Sequence, residues 1–122
     1  MVTGARGFTG THFCPLAVKC GYEVVTLKSD LLDRSALQCE VMNAKPDLVV
    51  HLAGISFVGS SDASSFYRVN AIGTTNLLDV LSELPKTPSK VLLASSANVY
   101  GNYEVSPINE SVRPNPVNHY AA

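Results

Sequence analysis

The 122-residue chain is 46% hydrophobic and 16% charged, with a formal net charge of −1. That length holds one domain at most, and the charge balance gives no electrostatic case for nucleic acid or an anionic membrane surface as partner. No apolar run approaches the ~18 residues of a membrane span, and no signal peptide opens the chain.

Cys14, Cys20 and Cys39 form no C-x-x-C pair, and we read them as reduced, mostly buried small hydrophobes of a cytoplasmic protein. His12, His51 and His119 are too scattered for a metal site.

In chain order, a short β-prone stub runs into Gly4, Gly7 and Gly10, spaced three apart. Gly4 would let the chain leave a strand in a tight turn, and Gly7 would let the backbone approach a diphosphate. Gly10 would let the next helix lie close to a sheet. Free N–H groups and the positive end of a helix dipole would then face the phosphates. Taken alone, the spacing fits a glycine-rich turn between any strand and helix equally well.

The predicted helix over residues 11–19 ends at Gly21. It contains Pro15, which costs a helix interior about 3 kcal/mol or more and predicts a kink or a late start. Residues 22–27 are rich in β-branched side chains and predict the second strand. Asp33 can cap a helix ending near Asn43, before Pro46. Residues 48–53 are a nearly unbroken apolar run, as for a strand buried on both faces.

A loop over residues 54–61 then leads to a long helix over residues 64–84. Its apolar face is Phe66, Val69, Gly73, Leu77, Val80 and Leu84. Gly73 costs roughly 1 kcal/mol there and marks a close approach to a neighbour. Residues 91–95 are the last predicted strand. From Ser96 onward the chain is polar, and Pro107, Pro114 and Pro116 exclude a long helix before His119 or Tyr120.

Strands alternating with helices predict an α/β fold with a doubly wound parallel sheet and helices on both faces. Ligands of such sheets lie beyond the carboxyl ends of the strands. Residues 4–10, Asp30, Ala53-Gly54 and residues 95–101 each follow a predicted strand, so all four fall at one edge. Together they point to a dinucleotide site more strongly than the glycine spacing does.

Thr3-Gly4-Ala5-Arg6-Gly7-Phe8-Thr9-Gly10 resembles the T-G-x-x-G-F-x-G signature of the extended short-chain dehydrogenase/reductases. These are nucleotide-sugar epimerases, dehydratases and reductases. The likeness continues through Asp30-Leu31, Pro46-Asp47, His51-Leu52-Ala53-Gly54 and residues 69–78. It ends with Ser95-Ser96-Ala97-Asn98-Val99-Tyr100-Gly101, Ile108-Asn109-Glu110 and His119-Tyr120-Ala121-Ala122. Within the family the chain is most similar to enzymes that reduce GDP-4-keto-6-deoxy-D-mannose.

The resemblance implies a Rossmann-like fold and roles for particular residues. Gly4, Gly7 and Gly10 would hold the pyrophosphate of the dinucleotide, with Phe8 beside it. Asp30 and Leu31 would bracket the adenine, Asp30 accepting from its exocyclic amine; without the resemblance, the alternative for Asp30 is a helix cap. Leu52, Ala53 and Gly54 would line the ribose and nicotinamide, and Asn70 would order the proton-relay side. Ser96 would hydrogen-bond the sugar oxygen at the reacting carbon. Tyr120 would be the proton-transferring tyrosine of Y-x-x-x-K. Without the resemblance, Asn70 is an exposed helix asparagine, Ser96 a hydroxyl ending a strand and Tyr120 one of five tyrosines.

The lysine of Y-x-x-x-K would fall beyond Ala122, and the family's substrate-binding half is absent. We therefore expect residues 1–122 to be the N-terminal part of a dinucleotide-binding Rossmann domain, trimmed at both ends and inactive alone. Without the helix that Tyr120 would open, residues 91–95 should expose apolar surface.

The implied partners are a nucleotide-activated sugar and a second copy, giving a homodimer of the full-length parent. Dehydratases of the family carry an acid after the catalytic Ser/Thr, whereas Ala97 and Asn98 follow Ser96 and neither can act as a base. The expected reaction is NAD(P)-dependent reduction of the 4-keto group of a GDP-4-keto-6-deoxyhexose. A nucleotide-sugar 4-epimerase with tightly bound NAD and a non-catalytic dinucleotide-binding protein are the alternatives. The second predicted strand ends in Lys28 and Ser29 without a carboxylate, and Arg6 stands in the glycine loop. Both features favour NADP(H) over NAD(H).

Overall fold

The computed structural model describes residues 1–56, 63–104 and 106–122. β1 (Val2–Thr3), β2 (Leu48–His51) and β3 (Lys90–Leu93) form a parallel sheet in that order. Val2 pairs with Val50, and Val50 with Leu92.

On the other side of β1 the expected second strand is reduced to a single parallel bridge between Val2 and Thr26. The Val2 N–H donates to Val25 O at 2.8 Å, and the Leu27 N–H donates to Val2 O at 2.9 Å. Backbone groups alternate sides along a strand, so a two-residue β1 turns only Val2 toward this neighbour. The β-branched residues 22–27 therefore find no further ladder partner.

The chain leaves β1 on one side and returns through β2 on the other. Strand order thus reverses between β1 and β2, and their carboxyl ends open into one crevice, where open parallel sheets hold ligands.

α1 (Phe8–Lys19) starts three residues before the predicted boundary and runs through Pro15 as one element. Thr11 and Pro15 are exposed, so the carbonyl deprived of its partner faces solvent. α2 (Arg34–Ala44) is capped by Asp33, whose carboxylate accepts the Ala36 N–H at 3.0 Å.

α3 (Ala63–Phe66), a π-helical turn (Tyr67–Ile72) and α4 (Gly73–Ser82) together replace the predicted long helix. A Cβ on Gly73 would come 3.0 Å from the Leu31 Cβ, so the expected close approach is made against Leu31. The predicted loop over 54–61 lies outside the described residues from residue 57 on.

The core lies between the sheet and the α2–α4 pair. Leu37, Val41, Val49, Leu77 and Val80 are its fully buried centre. β3 is the sheet edge, and Val91, Leu92 and Leu93 are exposed there, as expected for that strand.

The cysteines depart from expectation: Cys20 and Cys39 are exposed and Cys14 half-buried. Cys20 caps the end of α1, and Cys39 faces away from the inward Leu37 and Val41. Among the described residues no helix is long and apolar enough to cross a membrane.

Candidate functional site

Beyond β1 the chain turns at Gly4 with φ +66°. A Cβ at Gly4 would stand 2.6 Å from the Ala53 backbone nitrogen, so only glycine lets the ends of β1 and β2 come together. Gly10 is buried against the Gly4 carbonyl and the Ala5 backbone, where any side chain would overlap.

Gly7 differs, because a Cβ there would meet only the Gly4 oxygen, at 3.3 Å. Gly7 is the N-cap of α1, it offers no side-chain cap, and the first turn carries no acidic residue. The N–H groups of that turn and the positive end of the helix dipole are therefore left for a ligand. A backbone cradle that side chains would fill, opening on an uncapped helix start, fits the pyrophosphate of a dinucleotide.

A cleft of about 720 Å³ lies over the carboxyl ends of the three strands. Gly4, Gly7, Phe8, Gly10, Leu52, Ala53, Gly54, Asn70, Ser96 and Tyr120 all line it. Arg6, Lys28, Asp30 and Leu31 are not among its walls. Leu31 is buried in the core cluster, and Asp30 Oδ1 accepts the Leu32 N–H at 2.9 Å in a local turn. Phe8 is 84% exposed at the mouth. Asn70 grips the segment after β2: its Oδ1 accepts the Ile55 N–H at 2.8 Å and its Nδ2 donates to Ile55 O at 2.9 Å.

Ser96 caps a 3-10 turn (Ala97–Tyr100), its Oγ accepting from Asn98 N and Asn98 Nδ2 at 3.2 Å each. Its own O–H is not used in either bond. The Tyr120 ring lies 5.9 Å from that of Phe66, tilted by 57°. Next to it, His119 Nδ1 is 3.1 Å from the Tyr67 hydroxyl.

Two features escaped sequence reasoning. His51, in the floor of the cleft, is buried between Thr3 and Thr74. Ala53 N–H donates to Thr3 Oγ1 at 3.1 Å, and the same oxygen lies 2.6 Å from His51 Nδ1. On the other side of the ring, His51 Nε2 lies 2.9 Å from Thr74 Oγ1. Burial lowers the pKa of this imidazole below its ordinary value. The signal was a lone polar residue within an apolar strand.

The second feature is Glu40 of α2, which accepts the N–H groups of Lys28 (2.9 Å) and Ser29 (2.8 Å) and the Ser29 hydroxyl. Burial alone would raise its pKa, but the bonds from Ser29 and from the Lys28 backbone hold it below the usual carboxylate range. No sequence pattern pairs these residues.

Residues 1–122 match the family described as "NAD dependent epimerase/dehydratase family". A GDP-6-deoxy-D-talose 4-dehydrogenase of Aggregatibacter actinomycetemcomitans is 39% identical over 126 residues, taking in 99% of this chain and 43% of that protein. A UDP-glucose 4-epimerase of Bacillus subtilis is 31% identical over 147 residues, 98% of this chain and 43% of that one.

Among solved structures, the UDP-glucose 4-epimerase of Brucella ovis in complex with NAD superposes with a TM-score of 0.88 at 29% identity. The match covers 98% of this chain and 42% of that one. This chain thus spans about 43% of the length of these curated relatives. On the match over its whole length, the chain belongs to the NAD-dependent epimerase/dehydratase family.

Proposed function

We propose that the whole protein transfers hydride at C4 of a nucleotide-linked sugar, reducing the 4-keto group of a GDP-4-keto-6-deoxyhexose. One observation carries this reading: Ser96 and Tyr120 border the same cleft as the glycine cradle. The names of the two curated relatives, a 4-dehydrogenase and a 4-epimerase, both specify position 4 of a sugar and support it.

The first turn of α1 and Gly7 would hold the pyrophosphate, and Leu52, Ala53 and Gly54 would form the wall beside the nicotinamide ribose. A bound nicotinamide supplies the hydride. The Ser96 O–H donates to the C4 oxygen and fixes the carbonyl, while Tyr120 gives its phenolic proton to the same oxygen as it gains charge. Ala97 and Asn98 offer no base for a dehydratase.

The exposed cations Arg6 and Lys28 support NADP(H), and the Glu40 carboxylate on the Lys28–Ser29 backbone supports NAD(H). The likeness to UDP-glucose 4-epimerases favours a second reading, 4-epimerisation with retained NAD.

The test is turnover of GDP-4-keto-6-deoxymannose by the purified whole protein with NADH or NADPH. Reduced nicotinamide should disappear in step with product, and Tyr120→Phe should slow this by about 10²–10⁴-fold. Conversion of UDP-glucose to its 4-epimer without net nicotinamide change would replace the reductase with the epimerase.

A further inference from the structure

We infer that Glu40 selects the adenosine ribose of the dinucleotide, admitting a free 2′-hydroxyl and rejecting a 2′-phosphate. This rests on the dinucleotide reading of the cleft. In such folds the adenosine ribose meets the end of the second strand, and a carboxylate about 20 residues past the glycines accepts its hydroxyl. Lys28 and Ser29 occupy that place in the chain, outside the walls of the cleft. Thr26 pairs with Val2, and Lys28 and Gly4 each follow that bridge by two residues.

Sequence alone puts no carboxylate there. The fold brings one in from α2, twelve residues away from Lys28. Glu40 Oε1 accepts the Lys28 N–H at 2.9 Å, and Oε2 accepts the Ser29 N–H at 2.8 Å together with the Ser29 O–H.

Two consequences follow for a ribose arriving at this loop. The backbone and hydroxyl donors that would otherwise receive a 2′-phosphate are already occupied. A carboxylate also has about four acceptor positions, so one on Oε1 remains for a ribose hydroxyl to donate into. A 2′-phosphate brings negative charge to an existing negative charge. The cations that could offset it, Arg6 and Lys28, are exposed, where solvent and salt screen them. The carboxylate, by contrast, is fixed by three bonds.

Calorimetric titration of the whole protein with NAD and with NADP tests this without turnover. Wild type should bind NAD at least tenfold more tightly than NADP. Glu40→Gln should narrow that ratio by tenfold or more, chiefly by strengthening NADP. Ser29→Ala, which keeps the charge, should leave the ratio as in wild type.

Tighter binding of NADP by wild type would overturn the inference. So would equal weakening of both nucleotides in Glu40→Gln, which marks a purely structural carboxylate, or an unchanged ratio in a Glu40→Gln protein that melts like wild type. Failure of wild type to bind either nucleotide would instead overturn the dinucleotide reading, and the inference with it.

Discussion

The Thr3 hydroxyl lies 2.6 Å from His51 Nδ1, and the same oxygen accepts the Ala53 N–H. Thr3 thus holds both the imidazole and the start of the segment after β2. The chain of bonds then runs on to Thr74, tying β1, β2 and α4 together beneath the cleft. A charged His51 would donate on both sides, so Thr3 Oγ1 would have to accept two hydrogen bonds, and the buried site would hold a charge.

Stability should therefore fall in mild acid. Burial lowers the folded pKa of His51 below the value of about 6.5 that the unfolded chain keeps. The unfolded state takes up its proton first, so this contribution is complete above about pH 6.5 and is lost as pH falls toward the folded pKa. Melting temperatures followed from neutral to mildly acid pH should decline in wild type and decline less in His51→Gln. Parallel curves for the two proteins would refute the assignment.

The three glycines should separate by experiment. Gly4→Ala forces a side chain into a left-handed backbone, which costs about 1–3 kcal/mol, and into Ala53 as well. It should lower the melting temperature sharply. Gly7→Val meets only one backbone oxygen and should melt near wild type, yet abolish dinucleotide binding by filling the diphosphate space. Unchanged calorimetric affinity in Gly7→Val would remove the cradle from the site.

Asn70 predicts a graded pair of variants. Asn70→Asp keeps the acceptor for the Ile55 N–H but loses the donor to Ile55 O, whereas Asn70→Ala loses both. A half-buried group left without its partner costs about 1–3 kcal/mol, so Ala should destabilise more than Asp. Hydrogen exchange at the Ile55 amide should quicken in Asn70→Ala and stay slow in Asn70→Asp. Equal exchange in both would show that Asn70 does not hold this segment.

Local chemistry was readable from the chain; pairings made by the tertiary fold were not. Gly4 announced a tight turn, Gly10 a close approach of the helix, Asp33 its cap, and Leu77, Val80 and Leu84 a buried helix face, because each depends on neighbours in sequence. The second strand was misjudged because its extent depends on how many residues β1 offers, not on its own β-branched content. Glu40 and His51 were missed for a related reason. Their partners lie on other elements, and no spacing rule joins Glu40 to Ser29 or His51 to Thr74.

The π-wound turn over Tyr67–Ile72 sets the angular phase of the rod that flanks the cleft. On an uninterrupted α-helix Phe66 and Thr74 would stand about 80° apart around the axis. The wider turn, in which the Gly73 N–H reaches back to Arg68 O, rotates less per residue and brings the two toward one side. One helix can thus address the rim, where Phe66 meets Tyr120, and the floor, where Thr74 meets His51. Removing a single residue from this turn would leave the two side chains seven apart, about 20° on an ordinary α-helix, so their alignment would survive, whereas adding one would break it. The segment should therefore tolerate a one-residue deletion far better than a one-residue insertion.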